Sequence, residues 1–325
     1  MLTIEPTGAT IGATVLGSDL AKPLSAADFG QILKGLGDHG VLRFPDQHLE
    51  PADVYRFSVQ FGDIQGPSRV DPNAVVDPLA YVGILSNIKE NGEYIGSPDA
   101  GQDWHTDMSY RDIRGFVNVL YGIHIPRRDG RALGGTEFGN MAAAYDALPA
   151  ALKTRLEGMT ATHDFEKFWE HMRRDRNSGR PAMTPEQRLR RPPVVHKLIL
   201  THPISGRKIL YCNPGYATRI NELPPDESSA MLEFLFAHQL EMRFRYTHVW
   251  NENDLLIWDH LGTIHRAIDD YRPDEVRLMR RCQVIRPKCS TPNFCGRRCW
   301  RHNVKRKQPC AGYVFPRTTT SRTAR

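Results

Sequence analysis

Long apolar runs are absent from this 325-residue chain. None approaches the roughly 18 to 20 residues that cross a bilayer, so no membrane partner is expected. A secretory leader is missing too: Met1-Leu2-Thr3-Ile4-Glu5-Pro6 has neither the basic nor the apolar region, and the expected location is cytoplasmic. Cysteine is scarce where a disulfide framework would need it. Of the six, only Cys212 and Cys282 precede residue 287, which fits a reducing compartment. Acidic residues are missing from 287–325, a stretch with ten Lys or Arg and the other four cysteines. The net charge of +6 belongs to that tail, because residues 1–286 keep 33 of the 43 basic residues against all 37 acidic ones. With that balance a nucleic-acid partner is not expected, and binding through the tail would be steeply salt-dependent and lost on truncation after Arg286. The tail also lacks apolar periodicity, and Cys295, Cys299, His302 and Cys310 are irregularly spaced for a zinc site. Two regions are expected: a folded domain over 1–286 and a basic, Cys-rich, disordered tail over 287–325.

What is present is a succession of short strands punctuated by Gly and Pro, with few helices. Ser25 caps a helix whose Phe29, Ile32, Leu33 and Leu36 share one face, and Pro51 opens a second that Gly62 closes. Strands are expected at 41–44, 81–85, 116–125, 194–200, 208–212 and 244–250, and helices at 141–148, 150–159 and 228–238. The fold class is mainly β with flanking helices, as in a double-stranded β-helix (jelly-roll, cupin-like) barrel. The long polar connection over 67–101 reads as a lid or substrate loop. Residues 165–193 carry seven arginines. They read either as a solvated surface or as a mobile cover whose positive field draws in anions.

The chemistry concentrates in Gln102-Asp103-Trp104-His105-Thr106-Asp107-Met108-Ser109-Tyr110. On a strand, His105 and Asp107 point to the same side. A third ligand candidate, His265, follows Trp258-Asp259 far downstream. Two imidazoles and a carboxylate on one face of an octahedral ion form the non-haem iron triad, which leaves open positions for a chelating cosubstrate and dioxygen. After His265, Arg277 and Arg281 lie four apart, on one face of a strand reached through a turn at Arg272-Pro273-Asp274. A guanidinium fork is the usual anchor for a carboxylate held in one orientation. His196, His202 and His248 fall outside the pattern and read as structural.

In Trp104-His105-Thr106-Asp107-Met108-Ser109-Tyr110, Gly134-Gly135-Thr136-Glu137-Phe138, Trp258-Asp259-x5-His265 and Arg277-x3-Arg281, taken in that order, residues 1–286 resemble the taurine and 2,4-dichlorophenoxyacetate dioxygenase family. The resemblance implies Fe(II) on His105, Asp107 and His265, 2-oxoglutarate as cosubstrate, and dioxygen. It implies that Thr136 and Arg277 hold the distal carboxylate of 2-oxoglutarate. Arg281 would meet the metal-proximal carboxylate, the substrate anion, or both. Trp250 has two readings, a wall of the cosubstrate pocket or a core residue; Asn87 likewise binds substrate or serves a turn. The expected reaction is hydroxylation of an aliphatic C–H in a small anionic organic substrate (a sulfonate, carboxylate or sulfate ester), with succinate and CO2 as coproducts. Family members are commonly dimers or tetramers, so a homo-oligomer is expected. The rival is a zinc-dependent hydrolase using the same three ligands and a metal-bound water, which would have no use for the two arginines.

Overall fold

The computed structural model describes residues 1–66, 77–99, 101–176 and 180–287, with side chains as far as residue 285. The expectation for the 287–325 tail, and part of that for the 67–101 loop, lie outside the described residues. The largest sheet orders its strands as Thr3–Pro6, Ala13–Leu16, Val41–Phe44, Leu255–Asp259, Val117–His124, Leu278–Pro287 and Gly62–Ile64. Gly83–Ser86 pairs with the other end of Leu278–Pro287. A three-stranded sheet, Arg245–His248, Thr136–Asn140 and Thr263–Ala267, carries the downstream histidine.

The sequence reason for this architecture is a period of two in strands buried on both faces. In Leu255–Asp259, Leu255 and Ile257 enter a core with Ile32 and Leu36 of the Ala26–His39 helix and Phe57 of the Pro51–Ser58 helix. Leu256 and Trp258 face the other way, into a second core with Leu120, Phe138, Trp250 and Met279. The helices therefore cover one face of the large sheet, while a layer of aromatic and aliphatic side chains lies on its other face. No hydrogen-bonded ladder joins the two sheets into a closed barrel among the described residues, a correction to the barrel expected from the strand pattern. The pattern of turns signals strand number; it carries no information on whether the last edge pairs. Among the described residues no helix is long and apolar enough to cross a membrane.

Two local expectations are also revised. The ligand stretch 102–110 is not a strand: a single antiparallel bridge joins His105 to His265, and a turn follows in which Met108 has φ 59°. The 165–193 segment contains two helices, Phe165–Arg174 and Pro185–Arg190. Its prolines delimit these helices without breaking them. Pro185 stands at the first helical position behind a Thr184/Gln187 capping box, where a missing N–H costs nothing.

A third sheet, Val194–Lys197, Thr160–His163 and Ala217–Ile220, buries two histidines beside Tyr211. Burial pushes His163 down to about 3, with His196 adding to the effect, and His196 down to about 4, helped by Arg114. Both are thus neutral in the native state well below the unfolded-chain value of about 6.5. The unfolded chain binds protons between those values that the native state does not. Their contribution is complete above pH 6.5 and is lost as pH falls toward 4, at about 1.4 kcal/mol per pH unit for each group. Chemical denaturation at pH 7, 6 and 5 should show that decline, with a shallower slope in His163→Phe; equal slopes would refute the assignment.

Candidate active site

The two histidines meet through backbone. His105 N donates to His265 O at 3.0 Å and His265 N to His105 O at 2.9 Å, so the side chains stand opposite each other with ring centroids 4.3 Å apart. Thr106 Oγ1 donates to Thr263 O and ties the same two segments again. The following turn swings Asp107 back toward both rings: Oδ1 lies 3.4 Å from His105 Nε2, and Oδ2 3.6 Å from His265 Nε2. One donor atom from each of the three residues lies within 4.8 Å of the others. N and O donors bound at about 2.0–2.2 Å to one first-row metal stand about 3 Å apart in adjacent positions, so the separations suit a shared ion.

Protonation suits it as well. His105 Nδ1 is 2.7 Å from the Asp103 carbonyl oxygen, which can only accept, so Nδ1 carries the proton and Nε2 offers its lone pair. Burial opposes the charge on Asp107, but His105 and His265 outweigh it and hold the carboxyl well below its usual range. Burial, then the neighbouring His105, push His265 well below an ordinary histidine. Asn118 Nδ2 donates to Asp107 Oδ2 at 3.1 Å and fixes the carboxylate. Gly215 is required here by close approach: a Cβ would lie 2.9 Å from His105 Cβ.

Arg277 is a buried cation whose partner among the described residues is the Tyr271 side chain and not a carboxylate. Arg277 is 6% exposed, its Nε has no partner, and no carboxylate pairs with it among the described residues. Burial lowers its pKa and outweighs the opposing effect of Tyr271, its hydrogen-bonding neighbour, so the charge is only partly compensated. The backbone around it is clamped by Ser86 Oγ donating to Arg277 O at 2.8 Å and by Arg277 N donating to Asn87 Oδ1 at 2.8 Å. Gly134 approaches so closely that a Cβ would meet Arg277 Nε at 3.2 Å, and its φ of +69° also favours glycine. Thr136, two residues on, accepts a 3.0 Å hydrogen bond from Trp250 Nε1, and both are buried. The side chain of Arg281, in the Leu278–Pro287 strand, forms no ion pair or hydrogen bond within the described residues, and its charge acts on His105, Asp107 and His265. Of the two readings of Asn87, the hydrogen bonds favour the turn: its oxygen accepts from Arg277 N and its amide nitrogen donates to Glu275 O at 3.0 Å, so it shapes the turn that delivers Arg277.

Sequence reasoning missed the wall facing the triad. Phe168 of the Phe165–Arg174 helix and Tyr216 lie 5.9 and 6.3 Å from the His105 ring, centroid to centroid. The helix is tied to both ligand segments by Arg176, which donates to Asp103 Oδ1 at 2.9 Å and to Asp269 Oδ2 at 3.4 Å. Arg180 is likewise held by Asp99. A helical spacing of Phe165, Phe168, Trp169 and Met172 was the available signal, obscured by the arginines. His202 pairs with Asp259 and His248 lies near Asp254, away from the triad.

Two imidazoles and a carboxylate on one side of an ion site, in a fold that also buries a guanidinium with no carboxylate partner among the described residues, are the donor set of a mononuclear non-haem iron oxygenase with an anionic cosubstrate. Comparison with known proteins makes this specific. The sequence model of the taurine catabolism dioxygenase TauD, TfdA family matches residues 3–283, and the chain belongs to that family. Pentalenolactone F synthase of Streptomyces avermitilis is 32% identical over 292 residues, 86% of this chain and 92% of that protein. The alpha-ketoglutarate-dependent 2,4-dichlorophenoxyacetate dioxygenase of Cupriavidus pinatubonensis is 30% identical over 260 residues, 77% of this chain and 86% of the relative. Among solved structures, AAD-2 in complex with Mn(II) and N-oxalylglycine matches with TM-score 0.71 at 27% identity, covering 88% of this chain and 99% of that one. A taurine dioxygenase from Burkholderia xenovorans matches with TM-score 0.69 at 27% identity, covering 87% and 89%. The chain is thus a 2-oxoglutarate-dependent dioxygenase, with Fe(II) and dioxygen as the other participants.

Proposed function

We propose that the enzyme hydroxylates an aliphatic C–H bond of a small anionic organic molecule (a carboxylate, sulfonate or sulfate ester), releasing succinate and CO2. The observation that carries the reading is the convergence of His105, Asp107 and His265 within 4.8 Å, with the charge of Arg281 acting on all three and with neither Arg281 nor the buried Arg277 engaged by a carboxylate among the described residues. His105, Asp107 and His265 would hold Fe(II), which with 2-oxoglutarate and dioxygen supplies the oxidising power for the C–H bond. Arg277 and Thr136 receive the distal carboxylate of the keto acid, and Trp250 aims the threonine by hydrogen bond, leaving its hydroxyl proton free to donate. Arg281 takes the substrate anion, the metal-proximal carboxylate, or both, and so fixes which bond faces the metal. The Phe168 and Tyr216 rings close the site against water.

Relatives support an anionic substrate: one is a sulfate ester dioxygenase of Pseudomonas putida and another a sulfonate dioxygenase of Schizosaccharomyces pombe. The same reading takes residues 1–286 as one catalytic domain and its facing eight- and three-stranded sheets as the halves of a jelly roll. Anaerobic addition of Fe(II) and 2-oxoglutarate should produce a visible charge-transfer band, and air should then release succinate in the presence of an anionic substrate. Oxygen-independent, zinc-dependent ester or amide cleavage with no such band would overturn the proposal.

A further inference from the structure

One guanidinium close to the aromatic wall has no part in the reaction described so far. Of the seven arginines between 173 and 191, Arg173, Arg174, Arg176, Arg180 and Arg188 are each engaged by a carboxylate, which removes most of the positive field expected of this cover. Arg191 has no ion pair among the described residues. Its Cζ stands 4.2 Å from the centroid of Phe165. Phe165 contacts Tyr110 at 4.8 Å and stacks on Tyr216 at 6.4 Å, and Tyr110 and Tyr216 touch at 4.8 Å. Since Tyr216, itself buried, also reaches His105, a continuous chain of ring contacts runs from a candidate metal ligand to an arginine with no ion pair among the described residues. Neither phenol makes a hydrogen bond within the described residues, and the charges of Arg281 and Arg191 both act on each of them.

An arginine held by stacking keeps its N–H edge available to an acceptor. We infer that Arg191 is a specificity residue: it meets a second anionic group at the far end of an elongated substrate, whose first anion lies at Arg281 and whose apolar middle lies along Phe165, Tyr110 and Tyr216. This rests on the oxygenase reading above and adds the substrate class to it, an apolar-centred dianion. Of the seven arginines five are neutralised, and of the two without an ion pair among the described residues, Arg190 and Arg191, Arg191 is the one held against the aromatic rings, so a single outer anion can be recognised with little general attraction for anions.

The test uses the full chain, loaded anaerobically with Fe(II) and 2-oxoglutarate, and two probes, phenoxyacetate and 4-carboxyphenoxyacetate. Perturbation of the visible band reports their affinities. The wild type should bind the dicarboxylate about fivefold more tightly, the size of a solvent-screened contact. Arg191→Gln should bring that ratio close to one, Arg191→Lys should keep part of it, and Arg190→Gln, an exposed neighbour, should leave it intact. A wild-type ratio of one or less, no response to either probe, or a ratio that survives Arg191→Gln overturns the assignment of Arg191 while the oxygenase reading stands. Failure of the band to form with Fe(II) and 2-oxoglutarate alone removes the oxygenase site, and the role of Arg191 with it.

Discussion

His265→Ala is expected to abolish 2-oxoglutarate-dependent oxygen uptake and the visible band with Fe(II), while the protein stays folded. The two halves of that statement have separate causes. What brings the 105 and 265 segments together is backbone, two N–H···O bonds of 3.0 and 2.9 Å, and alanine preserves both. The lost ring leaves a hole beside Phe138 and Trp258, whose centroids lie 6.2 and 4.9 Å from it. That truncation costs about 2–4 kcal/mol of stability, within what a domain of this size tolerates. With the imidazole gone, two donors remain for an ion that needs three. Circular dichroism should report a native spectrum with a lowered Tm, and Fe(II) titration should show no band up to millimolar metal. Asn118→Ala, which only frees the Asp107 carboxylate to turn, should weaken metal affinity by about tenfold and keep the band at saturation. A His265→Ala variant that binds Fe(II) as the wild type does would remove residue 265 from the site.

The candidate ligands were legible because metal binding restricts residue type severely: few side chains can serve, and His105, Asp107 and His265 recur with a fixed local grammar. How they converge was not. Alternation on a strand was the natural reading of His105-Thr106-Asp107, yet the chain makes one bridge and then turns at Met108. Both routes put the two side chains on the same side, so the spacing alone could not distinguish them. Most core strands were legible for a different reason. Runs such as Val119-Leu120-Tyr121 are buried on both faces, and burial of that kind leaves an apolar signature that survives without knowledge of partners.

The parts that sequence did not disclose depend on long-range partners of ordinary polar residues. Asn118 looks like a polar interruption in a strand, and only the fold puts its amide 3.1 Å from Asp107. Asn87 looks like a turn residue or a ligand, and only the fold shows its amide engaged by three backbone groups across 186 or more residues of sequence. The arginines of 173–191 looked like one positive patch. Arg173, Arg174 and Arg188 are answered by Glu170 and Glu166 of the same 165–193 segment, whereas the partners of Arg176 and Arg180, namely Asp99, Asp103 and Asp269, lie outside it and could not be assigned from it.

Arg277→Met is expected to raise the 2-oxoglutarate requirement about a hundredfold and, at the same time, to leave the protein without ligands as stable as the wild type or more so. The loss of affinity follows from removing one side of a buried, charge-assisted contact, worth about 3 kcal/mol. The stability half follows from the state of Arg277 in this structure: 6% exposed, Nε without a partner, and, among the described residues, a neutral phenol, Tyr271, in place of a carboxylate. Holding such a cation out of water is unfavourable until an anion arrives, and replacing it by an apolar chain of similar length relieves that cost. Ser86 and Asn87 grip only the backbone of residue 277, so the strand register is kept by the variant. Arg277→Lys should fall between, since an ammonium retains charge but loses the fork. Thermal melts with and without metal and 2-oxoglutarate separate the terms: the variant should show an unchanged or raised Tm alone and little of the ligand-induced increase that the wild type shows. A variant that is destabilised without ligand but responds normally to 2-oxoglutarate would make Arg277 a structural cation and move the cosubstrate anchor elsewhere.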